Sequence, residues 1–360
     1  MQEKLSQFHV AILIYMIQSG VVMFRLPQIL AENFGTNGWL AILPVSLIVV
    51  LNILLIGVVY RLGKGASIFE ILEQSIPRII LFPFYLILVC VWAMIGCLIT
   101  KNYVLIFQMV AFPTTNPMVF KFVLDILIFF LLIQSIYNIA KASTVFFWLL
   151  IWMVLLLFFY YADFQWARLT PFIFRGSSAT VEGAFSIYSS FAGYTLCLLL
   201  FPYANKKTKL IKAALIGHLI TTINYIYYCF IAFGFYYYEQ LKTLQFPILN
   251  LLAYIQLPFI QATENLLYGF IMFTIIVTTV MYCWSAKEVS RRIFPINERL
   301  LSAIIIVAAY LFSFIPDISS EVEQWLAYLG YIEFGISFGL PLVLIFVLLI
   351  HRKRGAAASE

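Results

Sequence analysis

Apolar runs of about twenty residues follow one another along almost the whole chain, and basic residues gather in the joints between alternate runs. Few folds tolerate that pattern. A helix rises about 1.5 Å per residue, so such a run crosses the ~30 Å hydrocarbon core of a bilayer. Of 360 residues, 64% are hydrophobic and only 11% charged, against roughly 25% charged in a soluble domain. The polar residues that would cover a soluble core of this size are missing, so lipid must solvate most of the surface.

The runs predict an all-α integral membrane protein of ten transmembrane helices, near residues 9–30, 39–60, 79–112, 118–137, 143–161, 183–203, 212–237, 264–286, 300–315 and 325–350. The third is long enough to be strongly tilted. With the amino end in the cytoplasm, sixteen Lys and Arg fall in inner segments and only Lys121, Arg168, Arg175 and Lys242 in outer ones. Basic residues resist translocation, so the bias predicts both termini inside. The net charge of +6 then reflects topology and contact with anionic membrane lipid, not nucleic acid. Residues 1–350 form one expected transmembrane domain and 351–360 a basic cytoplasmic tail, disordered over 355–360. The first run lacks a small-residue cleavage site and is expected to stay as an anchor.

The outer loops are acidic, through Glu32, Asp163, Glu182, Glu239, Glu264, Asp317, Glu321 and Glu323. They form either a solvated surface or a docking face for another subunit. The segment 238–263, apolar but interrupted by Pro247 and Pro258, predicts a short helix over the outer mouth.

Enzymatic chemistry has no support. Cys90, Cys97, Cys197, Cys229 and Cys283 all lie in apolar runs, without a CxxC pair, and are expected as packing residues. His9, His218 and His351 show no metal-ligand spacing. Neither a cofactor nor a metal is expected.

Ten spans divide into two halves of five, about 8–161 and 182–350, and an odd number per half inverts the second in the membrane. The first helix of each half carries a similar interruption. One reads Ser19-Gly20 with Pro27 beyond it, the other Gly193-Tyr194 with Pro202 beyond it. Glycine costs a helix about 1 kcal/mol relative to alanine, and unwinding there frees backbone groups that a ligand can satisfy. The alternative is that these glycines only allow close helix packing.

Four charges fall inside spans: Arg25, Lys101, Asp125 and Glu333. Each costs about 2.5–3.5 kcal/mol if left facing lipid. Counted at ~1.5 Å per residue, all four lie at roughly 12–17 Å depth. An Arg25–Glu333 ion pair is the first expectation, and snorkelling of Arg25 and Lys101 the alternative. Polar residues also gather. Thr274, Thr278 and Tyr282 share one face of the eighth helix, Ser186, Ser189 and Ser190 precede the sixth-helix interruption, and Asn102 and Tyr103 adjoin Lys101.

Taken in order, Phe8, Gly20 and Leu26-Pro27, then Gly193-Tyr194 and Phe201-Pro202, Phe246-Pro247, and finally Tyr328-Leu329-Gly330-Tyr331-Ile332, Pro341 and Arg352-Lys353-Arg354 resemble the B subunits of spore-germination receptors, the endospore germination permease family. The resemblance covers nearly the whole chain. It implies membership of the amino acid–polyamine–organocation superfamily, a LeuT-like 5+5 inverted repeat with broken helices 1 and 6, and residence in the spore inner membrane. It also implies partnership with receptor A and C subunits, and binding of a small nutrient, usually an amino acid, between helices 1, 3, 6 and 8. Gly20, Gly193, Tyr194, Thr278 and Tyr282 match the family's site positions; Ser19, Asn102, Tyr103 and Ser190 complete the expected lining. The chain departs from the family at Thr195, where an acidic residue is common, and at Gln261-Ala262-Thr263-Glu264, where an arginine-containing acidic motif is common. A proton- or sodium-coupled amino acid transporter of the same fold is the alternative, with Asp125 or Glu333 carrying the proton. A scaffold or ion-conducting element that binds no nutrient is a third.

Overall fold

Helix boundaries follow from caps and breaks written into the sequence. The computed structural model describes residues 4–170, 172–178, 180–205, 207–254 and 263–357. Its helices run in the order α1 (Gln7–Gln18), α2 (Leu26–Phe34), α3 (Ile42–Leu62), α4 (Ile68–Glu73), α5 (Arg78–Ala111), α6 (Pro117–Leu132), α7 (Ile136–Leu156), α8 (Val181–Ser190), α9 (Leu210–Phe235), α10 (Tyr238–Thr243), α11 (Pro247–Tyr254), α12 (Thr263–Ile293), α13 (Glu298–Phe312) and α14 (Ser319–Ala357). Among the described residues there is no strand. The Ser6 hydroxyl accepts the His9 amide at the head of α1, a Ser67–Glu70 capping box opens α4, and Asn116, Ser135, Thr180 and Asn297 cap α6, α7, α8 and α13. Each such cap replaces water for an amide that the helix itself cannot serve.

Among the described residues seven helices are long and apolar enough to cross a membrane: Gly38–Leu62, Arg78–Ala111, Ile136–Ala162, Val181–Tyr203, Leu210–Phe235, Asn265–Ile293 and Ser319–His351. The chain is thus a multi-pass membrane protein. The other three expected spans are shorter or interrupted. α6 has 16 residues and α13 has 15, about 24 Å of helix at most. The first expected span is split into α1 and α2.

Burial separates the centre from the rim. The apolar windows of Val181–Tyr203 and Asn265–Ile293 are 72% buried, those of Ile136–Ala162 and Ser319–His351 only 28%. α12 packs on α1, α5, α6, α7 and α13, and α1 packs on α7, α9 and α12. Leu47 and Leu51 on α3, Trp148 on α7 and Phe346 on α14 are exposed, a distribution suited to lipid and not to water.

Two details differ from expectation. The 238–254 segment forms two short helices instead of one; α10 packs on α2, and α11 packs on α12, α9 and the turn at Val21–Phe24. Pro258 and Gln261-Ala262 lie outside the described residues, as do the side chains of Thr263, Glu264 and Arg352-Lys353-Arg354. At the other end, α14 continues through Ala357 into the part of the tail expected to be disordered. Ala356 and Ala357 are strong helix formers on the end of an existing helix, where no new nucleation is needed.

Candidate functional site

Both interruptions are real breaks. α1 stops at Gln18, Ser19 caps it, and Gly20 is extended (φ −112°, ψ −170°) before a 3-10 turn at Val21–Phe24 leads to α2. α8 stops at Ser190, and Gly193 adopts a left-handed conformation (φ 94°, ψ −13°) before a 3-10 segment at Tyr194–Tyr203. Only glycine takes that conformation without strain. The breaks also touch. A Cβ added to Gly193 would stand 2.3 Å from Ile17 Cγ2 and 3.4 Å from the Tyr282 hydroxyl, whereas one added to Gly20 would meet nothing within 4 Å among the described residues.

A cut helix leaves carbonyls at one end and amides at the other. Here the protein satisfies the carbonyls itself. Thr278 Oγ1 lies 3.1 Å from Met16 O, 3.2 Å from Ile17 O and 2.9 Å from Thr274 O. The Tyr225 hydroxyl lies 2.6 Å from Gln18 O and 2.9 Å from Ser190 O, joining one break to the other. Gln18 Nε2 donates to Phe191 O at 2.8 Å. The same amide approaches His218 Nδ1 (3.3 Å), and His218 Nε2 faces Ser46 Oγ at 2.9 Å and Ser46 O at 3.2 Å. The Ser46 carbonyl can only accept, so that contact calls for a proton on His218 Nε2, while Nδ1 lies 3.3 Å from Gln18 Nε2 and 3.4 Å from Gln18 Oε1. At the amide ends the caps are Gly20 and Gly193, which have no side chain to offer. Beside Gly193 the Tyr282 hydroxyl is buried with no hydrogen-bond partner among the described residues. An unpartnered buried hydroxyl is rare and costs about 1–3 kcal/mol.

The remaining expected residues divide. Ser19 and Ser190 sit at the two breaks, the latter donating its hydroxyl to Ile187 O at 2.5 Å. The Tyr194 hydroxyl meets that of Tyr188 at 2.6 Å, on the side of α14. Tyr103 stacks on Tyr268 (centroids 5.0 Å apart), and Tyr268 packs in turn against Phe24 in the first break. Asn102 lies away from the breaks and accepts a hydrogen bond from Ser319 at 3.1 Å.

The charges do not pair as expected. Arg25, the last residue of the first break, binds Glu323 and Gln28, and not Glu333. Glu333 lies ten residues further along α14, about 15 Å deeper in the helix, beyond the reach of a side chain held at Arg25. Asp125 pairs with Lys121 at 2.5 Å, one helical turn away on α6, and both are buried. Lys121 is therefore a buried, paired charge and not a solvated one. Lys101 is buried with its ammonium 3.3 Å from Met118 Sδ. Glu333 is 1% exposed and accepts from Thr195 Oγ1 at 2.8 Å and Trp92 Nε1 at 3.1 Å. Among the described residues no basic side chain forms an ion pair with it. Thr195, the departure within the sixth helix, thus brings a carboxylate from α14 to the second break.

Sequence reasoning missed Gln18, Trp92, His218 and Tyr225. One signal was available: His218, Thr221, Thr222 and Tyr225 fall at helical spacing and form a polar stripe on a mostly apolar helix.

The family model described as spore germination protein matches residues 4–322. Spore germination protein GerQB of Bacillus cereus is 24% identical over 339 residues, covering 91% of this chain and 92% of that protein. Spore germination protein A2 of Bacillus subtilis (strain 168) is 24% identical over 368 aligned positions, 97% of each. Among solved structures, a Na+-coupled sialic acid symporter in a substrate-bound outward-open state matches with a TM-score of 0.63 at 16% identity, over 95% of this chain and 79% of that one. That likeness shows a transporter fold. With the family model spanning most of its length, the chain belongs to the spore germination protein family, as a permease-like membrane protein.

Proposed function

We propose that the chain is the nutrient-sensing subunit of a spore germinant receptor. It would bind a small nutrient, an amino acid, at the two breaks and signal to receptor A and C subunits in the spore inner membrane. In this reading α6, α13 and the split α1–α2 also cross the bilayer. That gives ten spans in two inverted halves with both termini cytoplasmic.

The observation that carries the reading is the division of labour at the breaks. The carbonyls made free there have side-chain donors within reach: Thr278 at Met16 O and Ile17 O, Tyr225 at Gln18 O and Ser190 O, and Gln18 at Phe191 O. The uncapped amide end at Gly193, the orphaned Tyr282 hydroxyl and the Glu333 carboxylate are left for a ligand. An amide end of a helix attracts a carboxylate, and a buried carboxylate attracts an ammonium group. Together they suit a zwitterion. Binding signals only if it favours one conformation over another.

Gly20 offers the direct test, because no described residue lies within 4 Å of where its side chain would begin. Gly20→Leu should fold and assemble normally yet abolish the thermal shift that an amino-acid panel produces on the purified chain. Full retention of that shift would place the ligand elsewhere.

The buried, unpaired Glu333 supports a second reading, a proton-coupled amino acid transporter. Robust gradient-driven uptake of labelled amino acid into proteoliposomes by the chain alone would favour it over sensing.

A further inference from the structure

A groove of about 460 Å³ runs between α3 and the start of α9, floored by apolar side chains including Leu54, Val58 and Ile211 and rimmed by Arg61, Lys209 and Lys212. Among the described residues no acidic side chain lines it. All three cations are exposed, and none forms an ion pair among the described residues. We propose that this groove is a binding site for one anionic phospholipid, its phosphate held by the three cations and an acyl chain laid along α3 and α9.

The chemistry of the walls selects the occupant. The apolar floor belongs to Gly38–Leu62 and Leu210–Phe235, both long and apolar enough to span the membrane. It therefore meets hydrocarbon and not water. The groove is shallowest in side chain at Gly57, which faces Ile211; a Cβ there would come within 3.2 Å of Ile211 Cγ2. Further along the same two helices Leu47, Leu51, Leu219 and Ile223 are exposed and extend the apolar surface. A free phosphate would use the rim alone, and an acidic peptide would leave the hydrocarbon-level floor uncovered. A lipid uses both at once, with its charge complementing the rim. The site is separate from the two helix breaks and stands whether or not a nutrient binds there.

The test uses the purified full chain, delipidated in detergent and titrated with phosphatidylglycerol, phosphatidylcholine or glycerol 1-phosphate. Thermal unfolding and native mass spectrometry of retained lipid give the readouts. Phosphatidylglycerol is expected to bind and stabilise, phosphatidylcholine much less, and glycerol 1-phosphate not at all. One basic residue near an anionic lipid is worth roughly fivefold in binding. The triple replacement Arg61→Gln, Lys209→Gln and Lys212→Gln should therefore lose roughly a hundredfold of the lipid preference. An equal change of charge elsewhere, Arg78→Gln with Lys141→Gln and Arg299→Gln, should keep it. Val58→Trp fills the groove from an exposed position and should weaken phosphatidylglycerol retention without unfolding the chain.

Equal losses in the two triple variants would reduce the effect to diffuse surface charge and overturn the site. An effect reproduced by glycerol 1-phosphate would overturn it in favour of a free-phosphate site. A protein that co-purifies with the wild type but not with the groove variants, with no lipid retained, would overturn it in favour of a protein partner.

Discussion

The Tyr225 hydroxyl has one proton and two carbonyls to serve, Gln18 O and Ser190 O, one on each broken helix. Gln18 O also accepts the Gly20 amide at 3.0 Å, so it keeps a partner without the tyrosine. Tyr225→Phe would leave Ser190 O unpaired in a dry interior, at a cost of about 1–3 kcal/mol. A lower melting temperature of the detergent-solubilised protein, with secondary structure intact by circular dichroism, is the expected result. An unchanged melting temperature would mean that another group takes over Ser190 O. The two glycines should behave differently from each other. Gly193→Ala puts a Cβ on a left-handed residue, a strain of roughly 1–2 kcal/mol, and drives it into Ile17. Gly20→Ala meets neither penalty, because its backbone is extended and its surroundings open. Thermal denaturation of the pair should show a clear loss for Gly193→Ala and almost none for Gly20→Ala.

At the scale of a helix, α6 carries a buried ion pair on a single turn, Lys121–Asp125, both in contact with protein and not lipid. Breaking a buried pair costs about 3–5 kcal/mol because a charge is left behind, whereas replacing both partners by apolar residues of similar size is often neutral. Asp125→Asn should therefore destabilise strongly, and Lys121→Met combined with Asp125→Leu should recover most of the loss in the same melting assay. Equal damage by the single and the double replacement would show that the pair has a role beyond charge balance. This pair also shows where the sequence stops being informative. Helix existence and the two breaks were legible, because apolar runs and Gly20 and Gly193 act within a few residues of themselves. Which charges meet was not legible. Arg25 reaches Glu323 and not Glu333, and Asp125 finds Lys121 on its own helix, because partner choice depends on helix depth and rotation set by distant packing. Gln18 was illegible for the same reason, and Tyr225 was legible only as one of a polar stripe, because both act by closing gaps that exist only once α1, α8 and α9 are assembled.

Across the whole molecule, α14 links the rim to the centre. Near its start Glu323 holds Arg25 at the end of the first break, and ten residues on Glu333 receives Thr195 from the second break and Trp92 from α5. One helix thus touches both interruptions, although only 28% of its apolar window is buried. A displacement of α14 relative to α12 would be felt at both breaks, and α14 presents enough outward surface to be read by a neighbour. Glu333→Gln examines this arrangement with little change of shape. The amide oxygen can still accept from Trp92 Nε1, and the amide nitrogen can donate to Thr195 Oγ1, a hydroxyl free to turn and accept. Removing a charge that has no cationic partner removes a desolvation cost, so the variant should melt no lower than the wild type. If Glu333 holds the ammonium group of the nutrient, the same variant should lose the ligand-induced thermal shift for amino acids, and N-acetylated amino acids, which carry no ammonium group, should give no shift on either protein. A variant that retains the full shift for free amino acids would take Glu333 out of the binding site and leave it as a structural acceptor for Thr195 and Trp92.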